Sequence, residues 1–341
     1  IVIGTLNIDQ IPQYLDEYRK HKKKILDFNL QPSSQVFDES GYLHNPSQIF
    51  TFLPITYGCD NFCSYCVVPY TTGPQRSKPL RTILKEIEKI IQDGYKEIIL
   101  LGQNVNSYGL DFGLKNGFEF LLQAIDENFQ SSSIWIRFLT SHPKDMRASI
   151  VDSIKNSSLI THYFHLPIQS GSDSILAAMN RGYTRDQYLG VIKYIRQTLP
   201  DSGIGTDIIV GFPGETEADF LDTLHLVQEV QFDQAFTYIY SPRSGTAADQ
   251  LPDHLPLAEK KKRLQVLNQN LTDIHQKKLM TWVGKKVQIM IDQIEGLNAS
   301  GRTTNNQRIF LPNSNFFLGQ VITVLVVKSL KGKLYGELVF S

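Results

Sequence analysis

Cysteine is nearly absent from this sequence. The 341 residues contain three cysteines, and all of them lie between positions 59 and 66. An odd number of cysteines in one short stretch cannot build a disulfide framework, and no signal-peptide pattern opens the chain. We therefore expect a cytoplasmic, reducing compartment, where clustered cysteines indicate metal binding or catalysis.

Long apolar runs and net charge are also missing. The longest apolar run, VITVLVV at 321–327, is strand-sized and too short to cross a membrane, so no membrane partner is expected. Lysine plus arginine equals aspartate plus glutamate at 34 each, which argues against a nucleic-acid-binding surface over the whole chain. From position 276 onward, however, nine basic residues face three acidic ones. This bias indicates an anionic partner, although a solvated surface is the simpler explanation of charge alone.

Between positions 50 and 242 the pattern alternates between strands and helices. The clearest helix runs from Thr82 to Asp93, with Thr82 as the predicted N-cap and Gly94 as the C-terminal stop. Near-continuous apolar strands separated by helices predict a parallel sheet covered by helices, here a partial (β/α)6 barrel. The six predicted strands are 50–56, 97–101, 134–139, 163–168, 203–210 and 235–240.

The two ends of the chain have different patterns. At the start, IVIGTLN suggests a strand, the segment after it a basic helix, and residues 30–48 a linker rich in Ser, Pro and Asn. Residues 255–280 predict a long helix. Short strand patterns then follow, KKVQIMID, QVITVLVVK and LYGELVF, which predict a small all-β barrel.

The cysteine spacing is Cys59-x3-Cys63-x2-Cys66. Structural zinc sites usually take four protein ligands in two separated pairs, and no second pair exists here. Three thiolates in one loop suit an iron–sulfur cubane better, with one iron left without a protein ligand. On spacing alone, zinc with distant ligands stays open.

The position of the cysteine loop adds to this interpretation. It follows the first predicted strand, and the other strands are also followed by polar loops. Loops at the carboxyl ends of barrel strands build the active site in α/β barrels, so we expect these loops to share one rim. They are GQNVNSYG (102–109), TSHPKDM (140–146), QSGSD (169–173), GFPGET (211–216) and SPRSGT (241–246).

These segments resemble the radical S-adenosylmethionine methylthiotransferases over nearly the whole chain. The resemblance is carried by the cysteine motif with its aromatic Tyr65 and by CVVPYTTGPQRSKPL, EIILLGQNVNSYG, RFLTSHPKDM, HLPIQSGSDSILAAMNRGYTRDQYL, DIIVGFPGETEADF and GRTTNN. It implies a radical S-adenosylmethionine barrel followed by a TRAM-like RNA-binding β-barrel. The implied cofactors are a 4Fe-4S cluster on Cys59, Cys63 and Cys66, and S-adenosylmethionine.

The resemblance also implies residues for S-adenosylmethionine. Besides Tyr65, the segment Gly102, Gln103 and Asn104 occupies the place of the family's contact to the methionine amino group. Polar contacts to ribose or carboxylate are expected from Ser141, Gln169 and Arg181. His142 and His165 are predicted to be hydrogen-bonded structural histidines rather than bases, and Asp207, inside the fifth strand, is equally a polar contact or a satisfied core carboxylate.

Within the family, LLGQNVNSYG and GRTTNN are most similar to the tRNA-modifying branch. That branch methylthiolates C2 of isopentenylated adenosine at anticodon-loop position 37. The implied partners are tRNA and an external electron donor such as flavodoxin or ferredoxin. The alternatives are a methylthiotransferase for threonylcarbamoyl-adenosine tRNA or for a ribosomal protein, and, in another class, an RNA-binding protein with a non-catalytic barrel.

The resemblance gives domain boundaries and two departures. Residues 1–48 resemble the end of an N-terminal domain plus linker, 49–277 the radical core and 278–341 the β-barrel. Relatives carry three more cysteines in the N-terminal domain, so a second 4Fe-4S cluster is expected only if sequence precedes Ile1. Many relatives also have Arg-Gly-Arg-Glu where this chain has Thr72, Gly73, Pro74 and Gln75.

Overall fold

The computed structural model describes residues 1–28, 45, 48–252, 255–312 and 315–339. At the start, strand β1 (Val2–Ile3) pairs in parallel with β2 (Leu26–Asp27) around helix α1 (Ile11–His21). The predicted strand and basic helix are therefore confirmed. The predicted linker lies outside the described residues apart from Asn45 and Gln48.

The main body alternates strands and helices as predicted. In its first half, β3–β7 and α2–α4 are Phe50–Pro54 (β3), Thr56–Tyr57 (β4), Val68–Thr72 (α2), Arg76–Ser77 (β5), Leu80–Gln92 (α3), Glu97–Leu101 (β6), Gly117–Phe129 (α4) and Trp135–Phe138 (β7). Its second half comprises Ala148–Lys155 (α5), Tyr163–His165 (β8), Asp173–Ala178 (α6), Arg185–Thr198 (α7), Gly203–Val210 (β9), Glu217–Val230 (α8) and Gln234–Ile239 (β10).

The six long strands of this body form a partial parallel barrel. Strands β3, β6 and β7 make one parallel sheet, and β8, β9 and β10 make another. A single parallel bridge between Ile136 and Ile160 connects the two sheets. The α/β barrel predicted from the sequence is confirmed, and its strands all end at one rim.

Helix α3 shows why a local prediction failed. The helix begins at Leu80, two residues before the predicted cap Thr82, and Pro79 occupies the N-cap position. Proline has no amide hydrogen to lose at a helix start, so Pro79 takes the N-cap position that the sequence predicted for the hydroxyl of Thr82. Gly94 ends it as predicted, with φ of +87°. Ile83, Ile87 and Ile90 are fully buried against the sheet.

The two faces of the barrel strands differ in composition. Side chains that face the helices are apolar and buried, as Ile98, Phe138, Phe164 and Ile208 are. Residues of the opposite parity line the inner face and include Phe52, Arg137, Tyr163, His165, Asp207 and Phe236. The inner wall is therefore aromatic and charged, a composition that suits a ligand better than a packed core.

Helix α9 (Leu257–Met280) leads into a closed five-stranded barrel. Its strands are β11 (Lys286–Glu295), β12 (Asn298–Arg302), β13 (Arg308–Leu311), β14 (Val321–Leu330) and β15 (Lys333–Leu338), in the order β11-β12-β13-β15-β14. The predicted small all-β barrel is confirmed. Strands β12 and β13 were missed because glycine and charged residues interrupt their apolar pattern.

The C-terminal barrel docks on the amino ends of the main strands. Glu97 at the start of β6 accepts hydrogen bonds from Arg137 Nε at 2.8 Å and Arg302 Nη2 at 2.6 Å. Asn305 Nδ2 donates to the Asp201 carbonyl at 2.7 Å. The GRTTNN segment (301–306) therefore closes the end of the main barrel that lies opposite the cysteine loop.

Candidate active site

The cysteine loop begins at a glycine that no other residue could replace without strain. Gly58 has φ of +71°, and a Cβ built there would lie 2.2 Å from the Pro74 carbonyl oxygen. The next amide, Cys59 N, donates to the Gly73 carbonyl at 3.2 Å. The start of the loop is thus packed against the chain that follows α2, which fixes the backbone of the first ligand candidate.

The middle of the loop is fastened to the segment after α6. Ser64 N donates to the Met179 carbonyl at 3.0 Å, and Ser64 Oγ donates to the Ala178 carbonyl at 2.8 Å. Asn180 Nδ2 donates to the Phe62 carbonyl at 2.9 Å. These bonds take the place of the regular backbone hydrogen bonds of a helix or strand, so the loop holds a defined shape without regular secondary structure.

Burial and mutual proximity disfavour the thiolate forms. Burial raises the pKa of Cys59 and of Cys66, and the neighbouring Cys63 raises both pKa values further. The three sulfurs therefore influence one another within a small, partly desolvated volume. Bound iron would reverse this preference, because a cationic metal deprotonates a coordinating thiol.

The donor set fits a cluster better than one ion. Within the described ranges, no group of three or more His, Cys, Asp or Glu side chains is placed to hold a single metal ion. Three thiols on one fastened loop still supply the ligands that iron–sulfur clusters use, and the irons of a cubane occupy separate corners. Arg181 Nη1 adds a donor 3.2 Å from Cys63 Sγ.

Arg181 joins the cysteine loop to the barrel. Its Nη2 donates to the Pro167 carbonyl at 2.9 Å, its Nε to Tyr183 OH at 3.1 Å and its Nη1 to Tyr65 OH at 3.4 Å. The guanidinium is almost fully buried beside the thiols. Arg181 and Tyr65 were singled out from the sequence, and both lie at the cysteine loop.

The segment after β6 lies at the same rim. A Cβ built on Gly102 would stand 2.0 Å from Thr56 Oγ1, so glycine allows this backbone to approach the end of β4. Gln103 is exposed. Asn104 is buried; its Nδ2 donates to Asp145 Oδ2 at 2.6 Å and its Oδ1 accepts from His142 N at 3.1 Å. The Asn104 side chain thus holds the next rim loop in place.

Three buried polar atoms of the rim segments have no partner in the described part of the chain. Thr56 Oγ1, Ser141 Oγ and His142 Nε2 have no hydrogen-bond partner among the described residues. Leaving such a group unpaired costs about 1–3 kcal/mol, which a polar ligand would recover. The rim therefore fits a cofactor with amino, carboxylate and hydroxyl groups, as S-adenosylmethionine has.

His142 is neutral and offers a donor. Burial, with Arg181 and Lys144 nearby, lowers the pKa of His142 to about 2. Its Nδ1 accepts from Lys144 N at 3.3 Å, so the ring proton lies on Nε2. The predicted hydrogen bond of this histidine is present at Nδ1, whereas Nε2 finds no acceptor in the described chain.

Gln169 lies at the end of the fourth main strand. Its φ is +69°, its N donates to the Asp207 carbonyl at 2.9 Å and its carbonyl accepts from Ile209 N at 2.9 Å. The residue is buried, and its backbone prolongs the pairing with β9. The structure thus brings Tyr65, Gly102, Asn104, Ser141, Gln169 and Arg181 to the rim that carries the cysteines.

The role of Gln75 could not be predicted from the sequence. Gln75 is the last residue of the 72–75 segment, in which Thr72, Pro74 and Gln75 depart from the pattern Arg-Gly-Arg-Glu and Gly73 agrees with it. Gln75 N donates to Asp60 Oδ1 at 3.1 Å and Gln75 Nε2 donates to the Ser107 carbonyl at 2.6 Å. It connects the cysteine loop to the segment after β6. Only a paired change at two distant positions could have revealed this contact.

The sequence matches known proteins over nearly its full length. The Radical SAM superfamily model matches residues 53–227. The tRNA-2-methylthio-N(6)-dimethylallyladenosine synthase of Natranaerobius thermophilus is 40% identical over 346 residues, covering 99% of this chain and 75% of that protein. The protein of the same name from Moorella thermoacetica is 40% identical over 344 residues, covering 99% and 76%.

The chain belongs to the radical SAM superfamily and, within it, to the family of these synthases. The family uses a 4Fe-4S cluster and S-adenosylmethionine, for which the cysteine loop and the rim fit.

Solved structures agree with the fold. Coproporphyrinogen III oxidase from Escherichia coli superposes with a TM-score of 0.52 at 14% identity, over 76% of this chain and 68% of that one. The methyltransferase TsrM from Kitasatospora setae gives 0.50 at 13% identity, over 58% and 38%. In the described part of this chain, no helix combines the length and apolarity needed to span a membrane.

Proposed function

We propose that this protein methylthiolates C2 of N6-dimethylallyladenosine in tRNA. The observation that carries the proposal is the cysteine loop. It is fastened at both sides, it is adjacent to buried polar atoms that have no partner in the described chain, and it lies in a chain 40% identical to synthases of that name.

In this proposal Cys59, Cys63 and Cys66 hold the 4Fe-4S cluster. S-adenosylmethionine lies against Tyr65, Gly102, Gln103, Asn104, Ser141, Gln169 and Arg181. When bound, the cluster and S-adenosylmethionine supply the radical that abstracts hydrogen from the substrate carbon. The chain's own residues orient these groups and exclude water from the radical.

Individual residues then have defined tasks. Arg181 fixes the loop and places a positive charge beside Cys63. His142 Nε2–H and Ser141 Oγ provide hydrogen-bonding groups that no described residue uses. Gly102 leaves space at the end of β4. All of these tasks are positional, because the bond-breaking chemistry belongs to the cofactors.

The proposed domains are 1–48, 49–277 and 278–341, and the last of them contacts tRNA. Lysines are exposed on this barrel, among them Lys285 over Trp282 and Lys328 over Tyr335. Phe317 is also exposed, whereas Phe316 packs on the barrel core. Exposed lysines neutralise phosphates, and exposed rings stack on bases. A flavodoxin or ferredoxin in the cytoplasm is proposed as electron donor.

The test is single turnover under anaerobic conditions. The reconstituted protein would be given a reductant, S-adenosylmethionine and tRNA that carries N6-dimethylallyladenosine deuterated at C2. We expect deuterium in the released 5′-deoxyadenosine. The Cys63→Ala variant and tRNA with threonylcarbamoyl-adenosine are the controls. Absence of deuterium transfer, or equal transfer from the threonylcarbamoyl substrate, would contradict the proposal.

A further inference from the structure

The inner wall of the barrel carries a histidine–aspartate pair beside a phenylalanine. His165 on β8 faces the same side as Asp207 on β9, and Asp207 is aligned with Phe236 on β10. His165 Nε2 lies 3.3 Å from Asp207 Oδ1. The His165 and Phe236 rings meet edge to face with centroids 6.1 Å apart.

The pair is incompletely satisfied. His165 Nε2 is buried and makes no hydrogen bond within the described chain, although Asp207 Oδ1 lies 3.3 Å away. The Asp207 side chain remains 25% exposed. Nε2 has no acceptor in the described chain and the Asp207 carboxylate is accessible, so the pair retains capacity for a further partner.

The position of His165 is fixed by its contacts with Gly205 on β9 and with Ser141 in the rim loop. A Cβ on Gly205 would lie 3.2 Å from His165 Cδ2 and 2.1 Å from Tyr163 OH, so glycine leaves room for both rings. The His165 carbonyl accepts from Ser141 N at 3.4 Å. The backbone of His165 is thus next to the rim loop that carries Ser141.

Two exposed aromatic rings lie on β10 beside the pair. Phe236 and Tyr238 are 45% and 51% exposed and share one face of the strand. Exposed rings next to free polar groups match the composition of a pocket for a flat, polar heterocycle.

We propose that His165 and Asp207 are positioning residues that hydrogen-bond the edge of the acceptor adenine, with Phe236 and Tyr238 against its face. The inference rests on the proposed function. Adenine has ring-nitrogen acceptors on both sides of C2 and an N–H donor at the alkylated amine. Histidine donates to the former and aspartate accepts from the latter. The pair would thereby determine which carbon faces the rim.

The first experiment separates formation of the 5′-deoxyadenosyl radical from hydrogen abstraction at C2 of the acceptor adenine. In the holoenzyme the C2–D bond breaks and deuterium ends on the 5′-carbon of 5′-deoxyadenosine. For His165→Asn and Asp207→Asn we expect total 5′-deoxyadenosine within about twofold of wild type, while its deuterated fraction falls about tenfold. His225→Asn, at an exposed helix position, is the control. An unchanged deuterated fraction in both variants would overturn the inference.

A second experiment needs no turnover. Dimethyl sulfate would probe N1 of the acceptor adenine in an anticodon stem–loop RNA bound to the holoenzyme without reductant. We expect protection by wild type and by the exposed-ring control Phe120→Ala, and loss of protection in His165→Asn and Phe236→Ala. Protection that persists in both would refute the pocket. If wild type transfers no deuterium, the proposed function fails, and this footprint still decides the inference.

Discussion

The buried ion network between the two barrels gives the most quantitative prediction. Glu97 is 1% exposed and is shared by Arg137 and Arg302. Glu97→Gln keeps the shape but removes the negative charge, which leaves the buried Arg137 without its counter-charge. Breaking a buried pair in this way costs about 3–5 kcal/mol. Asp292 still pairs with Arg302 at 2.5 Å, so the loss concentrates on Arg137 and, through the bond from Arg137 Nη1 to the Thr304 carbonyl at 3.4 Å, reaches the GRTTNN segment.

Hydrogen exchange measures this loss locally. A cost of that size raises the opening equilibrium about a hundredfold to a few thousandfold. The amides of 298–311 should exchange faster by this factor, while those of α3 stay protected. Asp16→Asn breaks the exposed Arg19–Asp16 pair, which is worth about 0–1 kcal/mol, and serves as control. Unchanged exchange at 298–311 would refute the role assigned to Glu97.

Three further predictions concern the candidate active site. Gly58→Ala should lower the iron retained after reconstitution severalfold, because the added Cβ would collide with the backbone of Pro74. Gly94→Ala is the control: its Cβ points into open space, so the loss of folding stability stays at about 1 kcal/mol, from the positive φ alone. Retention equal in the two variants would contradict this. Arg181→Met should shift the cluster potential negative by roughly 50–100 mV in a redox titration, because a cation beside Cys63 is lost; an unchanged potential would exclude that role. His142 stays neutral in the fold, with its pKa lowered to about 2, but protonates when unfolded. Its stability contribution is therefore full above pH 6.5 and falls by about 1.4 kcal/mol per unit below it. His142→Asn should flatten the decline in thermal midpoint between pH 6.5 and 5, and an equally steep decline would show that another group causes it.

Much of the fold could be predicted because its signals are local. Strands 97–101 and 203–210 coincide with the observed β6 and β9, since buried parallel strands are continuous apolar runs. That the cysteine loop and the other polar loops share one rim could also be predicted from local patterns. Their positions follow from strand direction, which places every carboxyl end at one edge.

The unpredicted features depend on long-range contacts. Ser64 bonds to Met179, Gln75 to Ser107, and Glu97 to Arg302, pairs that no sequence periodicity connects. Asn104 illustrates the limit within a motif: the resemblance implied a cofactor contact, and the structure adds that the same side chain holds the loop of His142. Hydrogen-bond geometry of this kind is set by tertiary packing, which residue types alone do not specify.

The most direct test of the account is the iron content and cofactor cleavage of the cysteine loop. The protein would be reconstituted anaerobically with iron and sulfide, beside a variant in which Cys59, Cys63 and Cys66 are alanine. We predict about four irons per chain and reductive cleavage of S-adenosylmethionine, both lost in the variant. Bound zinc without iron, or cleavage that survives the triple substitution, would contradict the central claim.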